Sequence, residues 1–199
     1  ELKDPNAYNP ERSKQLLAED GWKDTDGDGI LDKDGKPLTF DFVVYNSRAE
    51  LPLYAEAVQA DLKKVGIDMK IKTVDYNLID KMGQDGDYDM LISNIVTANT
   101  GDPIWFLANY WHTNVDGSNP QNGSGYSNPQ VDQLLDAAET EFDPAKRRDY
   151  AIQIQQLLMN DGAALFLGYP KTNIVTGSYL KGAVMYPSDY YWITNKITK

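Results

Sequence analysis

The sequence of 199 residues contains no cysteine. That absence excludes disulfides, thiolate metal sites, iron–sulfur clusters and a cysteine nucleophile. Histidine occurs once, as His112, so no site can draw on more than one imidazole. Positive charge is sparse. Lys and Arg number 19 against 30 Asp and Glu, a formal net charge of −11. So acidic a chain repels nucleic-acid phosphates and anionic membrane surfaces, and no nucleic-acid partner is expected. No stretch approaches the ~20 apolar residues of a membrane helix. No leader-like segment opens the chain at Glu1, and a fragment of a longer polypeptide is expected. There is no G-x-S-x-G elbow, phosphate-binding loop or dinucleotide fingerprint. Among 30 acidic residues, carboxylate pairs arise by chance, so an enzyme is not expected.

What is present suffices for a core, since 41% of residues are hydrophobic. The length fits one domain or one large lobe of a bigger protein. Asn9 and Pro10 read as the cap and first position of a helix that buries Leu16, Leu17 and Trp22 and stops at Gly21. Residues 38–45 (LTFDFVVY) read as a strand, 54–65 as an amphipathic helix closed by Gly66, and 67–74 as an alternating strand. This succession is a βαβ unit. A short helix over 77–82 and a third strand over 88–96 follow, the latter apolar enough to be covered on both faces. Residues 97–129 read as a long loop with an aromatic knot of Trp105, Phe106, Tyr110 and Trp111. Helices over 131–141 and from Asp143–Pro144 to about Asn160 come next, then short strands over 163–169 and 173–175.

Residues 24–36 (DTDGDGILDKDGK) place Asp24, Asp26 and Asp28 at alternate positions, followed by Gly29. This matches positions one, three, five and six of an EF-hand-type calcium loop. Ile30 would offer its carbonyl at position seven, and Asp32 stands at position nine. Position twelve holds Gly35 in place of glutamate, with Asp34 one place earlier. Two readings stay open: a structural calcium site, the one cofactor suggested, or a metal-free turn built on Asp-Gly chemistry.

Several pieces occur in a telling order: ERSKQLLAEDGW, DTDGDGILDKDGKPL, YAEAVQADLKKVGIDMKIKTVD, GDYDMLISN, GDPIWFL and GYSNPQVDQLLDAAETEFDPAKR. Together they resemble the family 5 extracellular solute-binding proteins, which include dipeptide-, oligopeptide- and nickel-binding proteins of ABC importers. The resemblance implies an α/β, periplasmic-binding-protein-like lobe with a mixed sheet flanked by helices. Residues 1–182 would form the C-terminal lobe of a two-lobed protein, and 183–199 the crossover toward the other lobe. Its implied partners are short peptides or a similar polar solute and the importer's membrane subunits. Its implied location is the extracellular face of the cytoplasmic membrane or the periplasm, with a lipid anchor on the full-length parent. A nickel or metal-chelate binder of the same family is the alternative. A calcium-dependent structural module is the rival of another class.

The resemblance also points to site residues. Peptide-binding relatives carry an aspartate four residues before the proline of the DP motif, paired with the ligand's α-ammonium. Here that position is Asn99, which accepts a hydrogen bond but brings no charge. Val96, Thr97, Asn99 and Asp102 follow the end of a predicted strand, where open α/β sheets place ligands; Asp102 also suits a helix N-cap. Trp111 and Tyr126 are candidates to line the cleft, whereas Trp105 is expected to pack inside. His112 is the candidate ligand for a bound metal, with a solvent-facing loop position as its plain alternative.

Overall fold

The computed structural model describes residues 1–97, 101–171, 173–185 and 194–199. Four of its helices begin with the same chemistry, an Asn or Asp cap followed by proline. These are α1 (Pro10–Glu19), α4 (Pro103–Trp111), α5 (Pro129–Thr140) and α6 (Pro144–Asn160). Each cap side chain accepts a backbone N–H of the first turn, at 3.0 Å from Arg12, 2.9 Å from Ile104, 2.9 Å from Gln130 and 2.8 Å from Ala145. Proline at the first position gives up an N–H that has no intrahelical partner and pre-sets φ. Helix α4 lies where the sequence suggested a long loop. Its Ile104, Leu107 and Trp111 recur at helical spacing and are buried.

The remaining elements are β1 (Asp32–Lys33), β2 (Lys36–Pro37), β3 (Thr39–Tyr45), α2 (Glu50–Lys63), β4 (Asp68–Val74), a 3-10 turn (Tyr76–Leu78), α3 (Ile79–Asp85) and β5 (Met90–Leu91). Among the described residues, β4, β3 and β5 form a parallel sheet in that order. The antiparallel pairing of named strands is confined to the separate β1–β2 ribbon, so the two strand directions expected of one sheet are divided between two. β3 is central and buries Phe42, Val43, Val44 and Tyr45 in succession. A strand covered on both faces can be continuously apolar, and the βαβ crossover through α2 supplies one cover. Gly66 adopts φ +83° before β4, and an added Cβ would lie 2.6 Å from Leu31 Cγ. The turn therefore demands glycine twice over, for backbone conformation and for space.

Two clusters of buried side chains result. One joins the sheet to α2 and α3 through residues such as Val43, Val44, Ala55 and Met69. The other lies among α4, α5 and α6, where Val131, Leu135, Ala138 and Ile154 are fully enclosed. Between them, the Tyr88 hydroxyl donates to the Gly123 carbonyl, and an added Cβ on Gly123 would come within 3.0 Å of Gly83 Cα.

Some expected elements differ. The third strand is not 88–96; its ladder covers only Met90–Leu91, with one further bond from Ile92 N–H to the Val43 carbonyl at 3.1 Å. The described parts of 163–169 and 173–175 form no ladder, although Leu167 packs against the sheet cluster. α1 buries no residue, and Leu16 is exposed. The N-terminal segment is tied instead to α6: Lys3 N–H donates to Gln156 Oε1 at 2.8 Å, and Asn6 Nδ2 donates to the Met159 carbonyl at 2.9 Å. Near the C-terminus, Lys181 and Thr198 form an antiparallel bridge.

Candidate ligand site at the carboxyl end of the sheet

In an open parallel sheet, ligands collect at the carboxyl ends of the strands. Here that end is built on Tyr45, the last residue of β3. Its ring is buried and meets Tyr76 edge-on, with centroids 5.1 Å apart and planes at 66°. Its hydroxyl accepts the Asn94 N–H at 3.1 Å. Asn94 Nδ2 in turn donates to Glu50 Oε1, in the first turn of α2, at 3.3 Å. These bonds lay the segment after β5 across the end of the central strand. Val96 is half-buried and Thr97 exposed; Asn99 lies outside the described residues.

Asp102 is half-buried and engaged within the chain. Oδ1 caps α4, and Oδ2 pairs with Arg147 Nη2. Arg147 Nη1 also donates to the carbonyls of Ala138 and Glu141, so this guanidinium ties the start of α4 to the end of α5. Trp111 is 8% exposed within the helical cluster, and its Nε1 has no hydrogen-bond partner among the described residues. It meets Tyr126 edge-on at 5.7 Å. The Tyr126 hydroxyl donates to Asp161 Oδ2 at 2.6 Å, and Asn128 Nδ2 donates to the same oxygen at 2.8 Å. Burial first, then the Asp161 partner, pushes the Tyr126 phenol up to about 12. Asp161 is held below the usual carboxylate range by the hydrogen bonds from Tyr126 and Asn128. Trp111 and Tyr126 are thus together, but in helical packing. The expectation for Trp105 reverses: it is 41% exposed, because its place on α4 lies off the Ile104–Leu107–Trp111 stripe.

His112 follows α4 and clasps it to α5. Nε2 lies 3.2 Å from Asp136 Oδ1, and Nδ1 lies 3.3 Å from the Thr113 carbonyl and 3.7 Å from Asp132 Oδ1. With Asn109, Ser118, Asn119 and Glu139 it borders a surface cavity of about 320 Å³. Burial of the ring favours the neutral form, but the Thr113 carbonyl, Asp136 and Asp132 outweigh it and raise the pKa.

In the acidic loop, Asp24, Asp26 and Asp28 each offer a carboxylate oxygen, all within 4.8 Å of one another, and all three residues are exposed. The loop also satisfies itself. Asp24 accepts from Gly27 N–H at 2.7 Å and Gly29 N–H at 3.0 Å, and Asp28 accepts from Ile30 N–H at 2.8 Å. Asp32 stands outside the trio. Its Oδ2 accepts from Thr25 N–H at 3.1 Å and Thr25 Oγ1 at 2.8 Å, closing the base of the loop. Asp34, at φ +52°, belongs with Gly35 to the tight β1–β2 turn. The three carboxylates, with the Ile30 carbonyl, have the hard-oxygen chemistry that suits calcium.

Sequence reasoning missed Tyr45, Tyr76, Asn94 and Glu50 as residues of the sheet end. The signal was available for Tyr45 and Tyr76, since each closes or follows a recognised parallel strand.

The family described as bacterial extracellular solute-binding proteins, family 5 Middle, matches residues 1–118. The chain is 31% identical over 187 residues to the oligopeptide-binding protein AppA of Bacillus subtilis, covering 90% of this chain and 33% of that protein. It is 26% identical over 199 residues to the nickel-binding protein NikA of Staphylococcus aureus, covering 99% of this chain and 38% of that protein. The structure of B. subtilis AppA in complex with a nonapeptide superposes with a TM-score of 0.70 at 30% identity, over 81% of this chain and 32% of that one. The chain therefore spans about a third of the length of these relatives.

The His112 clasp carries a pH signature. Its folded-state pKa is raised, so its contribution is fully present below the unfolded value of about 6.5 and is lost as pH rises through the folded value. His112→Gln is expected to lower stability by about 0.2–1 kcal/mol at pH 5.5, the range of a partly exposed ion pair, and by much less at pH 9. Urea unfolding at the two pH values checks this; an equal loss at both would contradict the clasp.

Proposed function

Since the chain belongs to the bacterial extracellular solute-binding proteins of family 5, we propose that it supplies one lobe of the substrate-binding component of an ABC importer. Family 5 is a family of solute-binding transport proteins, not of enzymes. The lobe comprises residues 1–182, and residues 183–199 lead toward a second lobe. The solute is a short peptide or a similar polar molecule, held as the two lobes close by a hinge motion. The importer's membrane subunits receive it. The parent protein works outside the cytoplasmic membrane, carried there on a lipid anchor.

The observation that carries this reading is the carboxyl end of the parallel sheet. Tyr45, Asn94 and Glu50 fix the chain there, and Tyr76 remains open to solvent. Val96 and Thr97 extend the same edge, and in this reading they touch the solute. In this reading Asp102 holds α4 in place, and Trp111 and Tyr126 stiffen the helices behind it. A peptide is preferred over nickel because the one histidine is already engaged by Asp136 and the Thr113 carbonyl. The acidic loop is a second, structural proposal, favoured by the close approach of Asp24, Asp26 and Asp28.

Native mass spectrometry of the full-length parent, purified without denaturation, tests the main reading. A co-purified mass in the short-peptide range is expected. A nickel chelate in its place would bring the metal alternative forward, and an empty protein that also ignores added tripeptides would contradict solute capture. For the acidic loop, calcium is expected to raise the melting temperature of the chain, and Asp26→Ala to remove that increment. A variant that loses equal stability with and without chelator would sink the calcium reading.

A further inference from the structure

The loop between α4 and α5 is closed by one side chain. Asn122 is the buried polar residue among those described, 4% exposed. Its Nδ2 donates to the His112 carbonyl at 3.0 Å and to the Tyr126 carbonyl at 2.9 Å, so a single amide joins the two ends of the loop. Its Oδ1 accepts from Ser124 Oγ at 2.9 Å. Asn119 Nδ2 reinforces the closure by donating to the same His112 carbonyl at 2.7 Å. The next residue is fixed for another reason. An added Cβ on Gly123 would lie 3.0 Å from Gly83 Cα and 3.2 Å from the Gly83 carbonyl carbon, backbone that has no room to swing aside. The Gly123 carbonyl also accepts from the Tyr88 hydroxyl. Loop closure therefore calls for an amide at 122, and the joint between the sheet body and the helical body calls for glycine at 123. Together they set the chain's one Asn-Gly pair at that joint.

Asn-Gly is chemically labile in a flexible chain. The glycine nitrogen loses its proton and attacks the asparagine Cγ, the Cγ–Nδ2 bond breaks, and ammonia leaves with a proton from solvent. Water then opens the resulting succinimide at either carbonyl, giving aspartate or isoaspartate with no change of oxidation state. Glycine favours the ring closure because no Cβ hinders the approach and its backbone turns freely. In the folded protein each reacting group is held: Nδ2 by two carbonyls, Oδ1 by Ser124, and the Gly123 N–H by the Gln121 carbonyl at 2.9 Å. Once reacted, position 122 carries an oxygen where two donors stood. That acceptor would face the His112 and Tyr126 carbonyls, buried and without a donor. We infer that Asn122-Gly123 is a latent deamidation site, shielded by the fold, whose reaction in the opened chain bars the loop from closing again. An opening that lasts long enough for the reaction becomes permanent.

Asn46-Ser47, an exposed pair just after β3, is the internal reference for the test. In an unstructured chain serine at the second place closes the ring more slowly than glycine, because its Cβ crowds the approach. The full-length parent is kept at mildly alkaline pH, folded in buffer or unfolded in urea, and the peptides holding Asn46 and Asn122 are followed by mass spectrometry. In urea Asn122 is expected to convert first. In the folded protein the order is expected to invert, with Asn122 slowed at least tenfold from its rate in urea because reaction must wait for local opening. After the urea sample is diluted, folded and unfolded fractions are separated by size. Converted Asn122 is expected to be at least fivefold enriched in the unfolded fraction, and converted Asn46 to be shared evenly. Asn122 converting ahead of Asn46 in the folded protein would overturn the shield, and no conversion of Asn122 in urea would overturn the site itself. Converted Asn122 no more enriched than converted Asn46 would overturn the barred closure.

Discussion

Strand β3 carries two obligations at once, and the rest of the molecule is arranged around them. Its last four residues, Phe42 to Tyr45, are buried one after another, so both faces must be covered. Full burial of each such side chain contributes roughly 1.5–3 kcal/mol. The parallel pairing with β4 on one side and β5 on the other keeps its backbone satisfied, and the α2 crossover provides the apolar cover. The same strand ends in a tyrosine whose hydroxyl is a hydrogen-bond acceptor for Asn94. The core therefore delivers a polar atom to the edge where the chain must be positioned, and no loop has to find its place by itself.

Behind that edge the three helices α4, α5 and α6 form a second apolar body. It is joined to the sheet body by polar and glycine contacts, Tyr88 to Gly123 and Gly83 against Gly123. Within it, partly exposed charges are paired locally. Arg147 spans from Asp102 to the last turn of α5, and His112 spans from α4 to Asp136. These pairs add modestly to stability where exposed, and they join α4 to α5 and α6.

Much of this was legible in the residues. The βαβ unit followed from alternation over 67–74 and the apolar run over 38–45. The Asn9–Pro10 and Asp143–Pro144 caps announced two helices. The Asp102–Pro103 cap announced a third, which the polar texture of 97–129 obscured. Less legible were features set by tertiary contact. Residues 88–96 and 163–169 have strand composition, but a ladder needs a partner edge. Trp105 and Trp111 differ in burial only through helical phase, and reading the segment as a loop removed that phase. Asp32 matched a calcium position by count, yet its oxygen is taken by Thr25. The edge contact of Tyr76 with Tyr45 depends on the 3-10 turn that follows β4, which composition does not reveal.

The central claim is that a solute is held at the carboxyl end of the β4–β3–β5 sheet. Hydrogen exchange of the full-length parent, with and without a pool of short peptides, reads this directly from the backbone. Protection is expected to concentrate in residues 45–50, 75–80 and 92–97 and to spare α5 and α6. Protection centred on the α5–α6 surface, with the sheet end unchanged, would contradict the account.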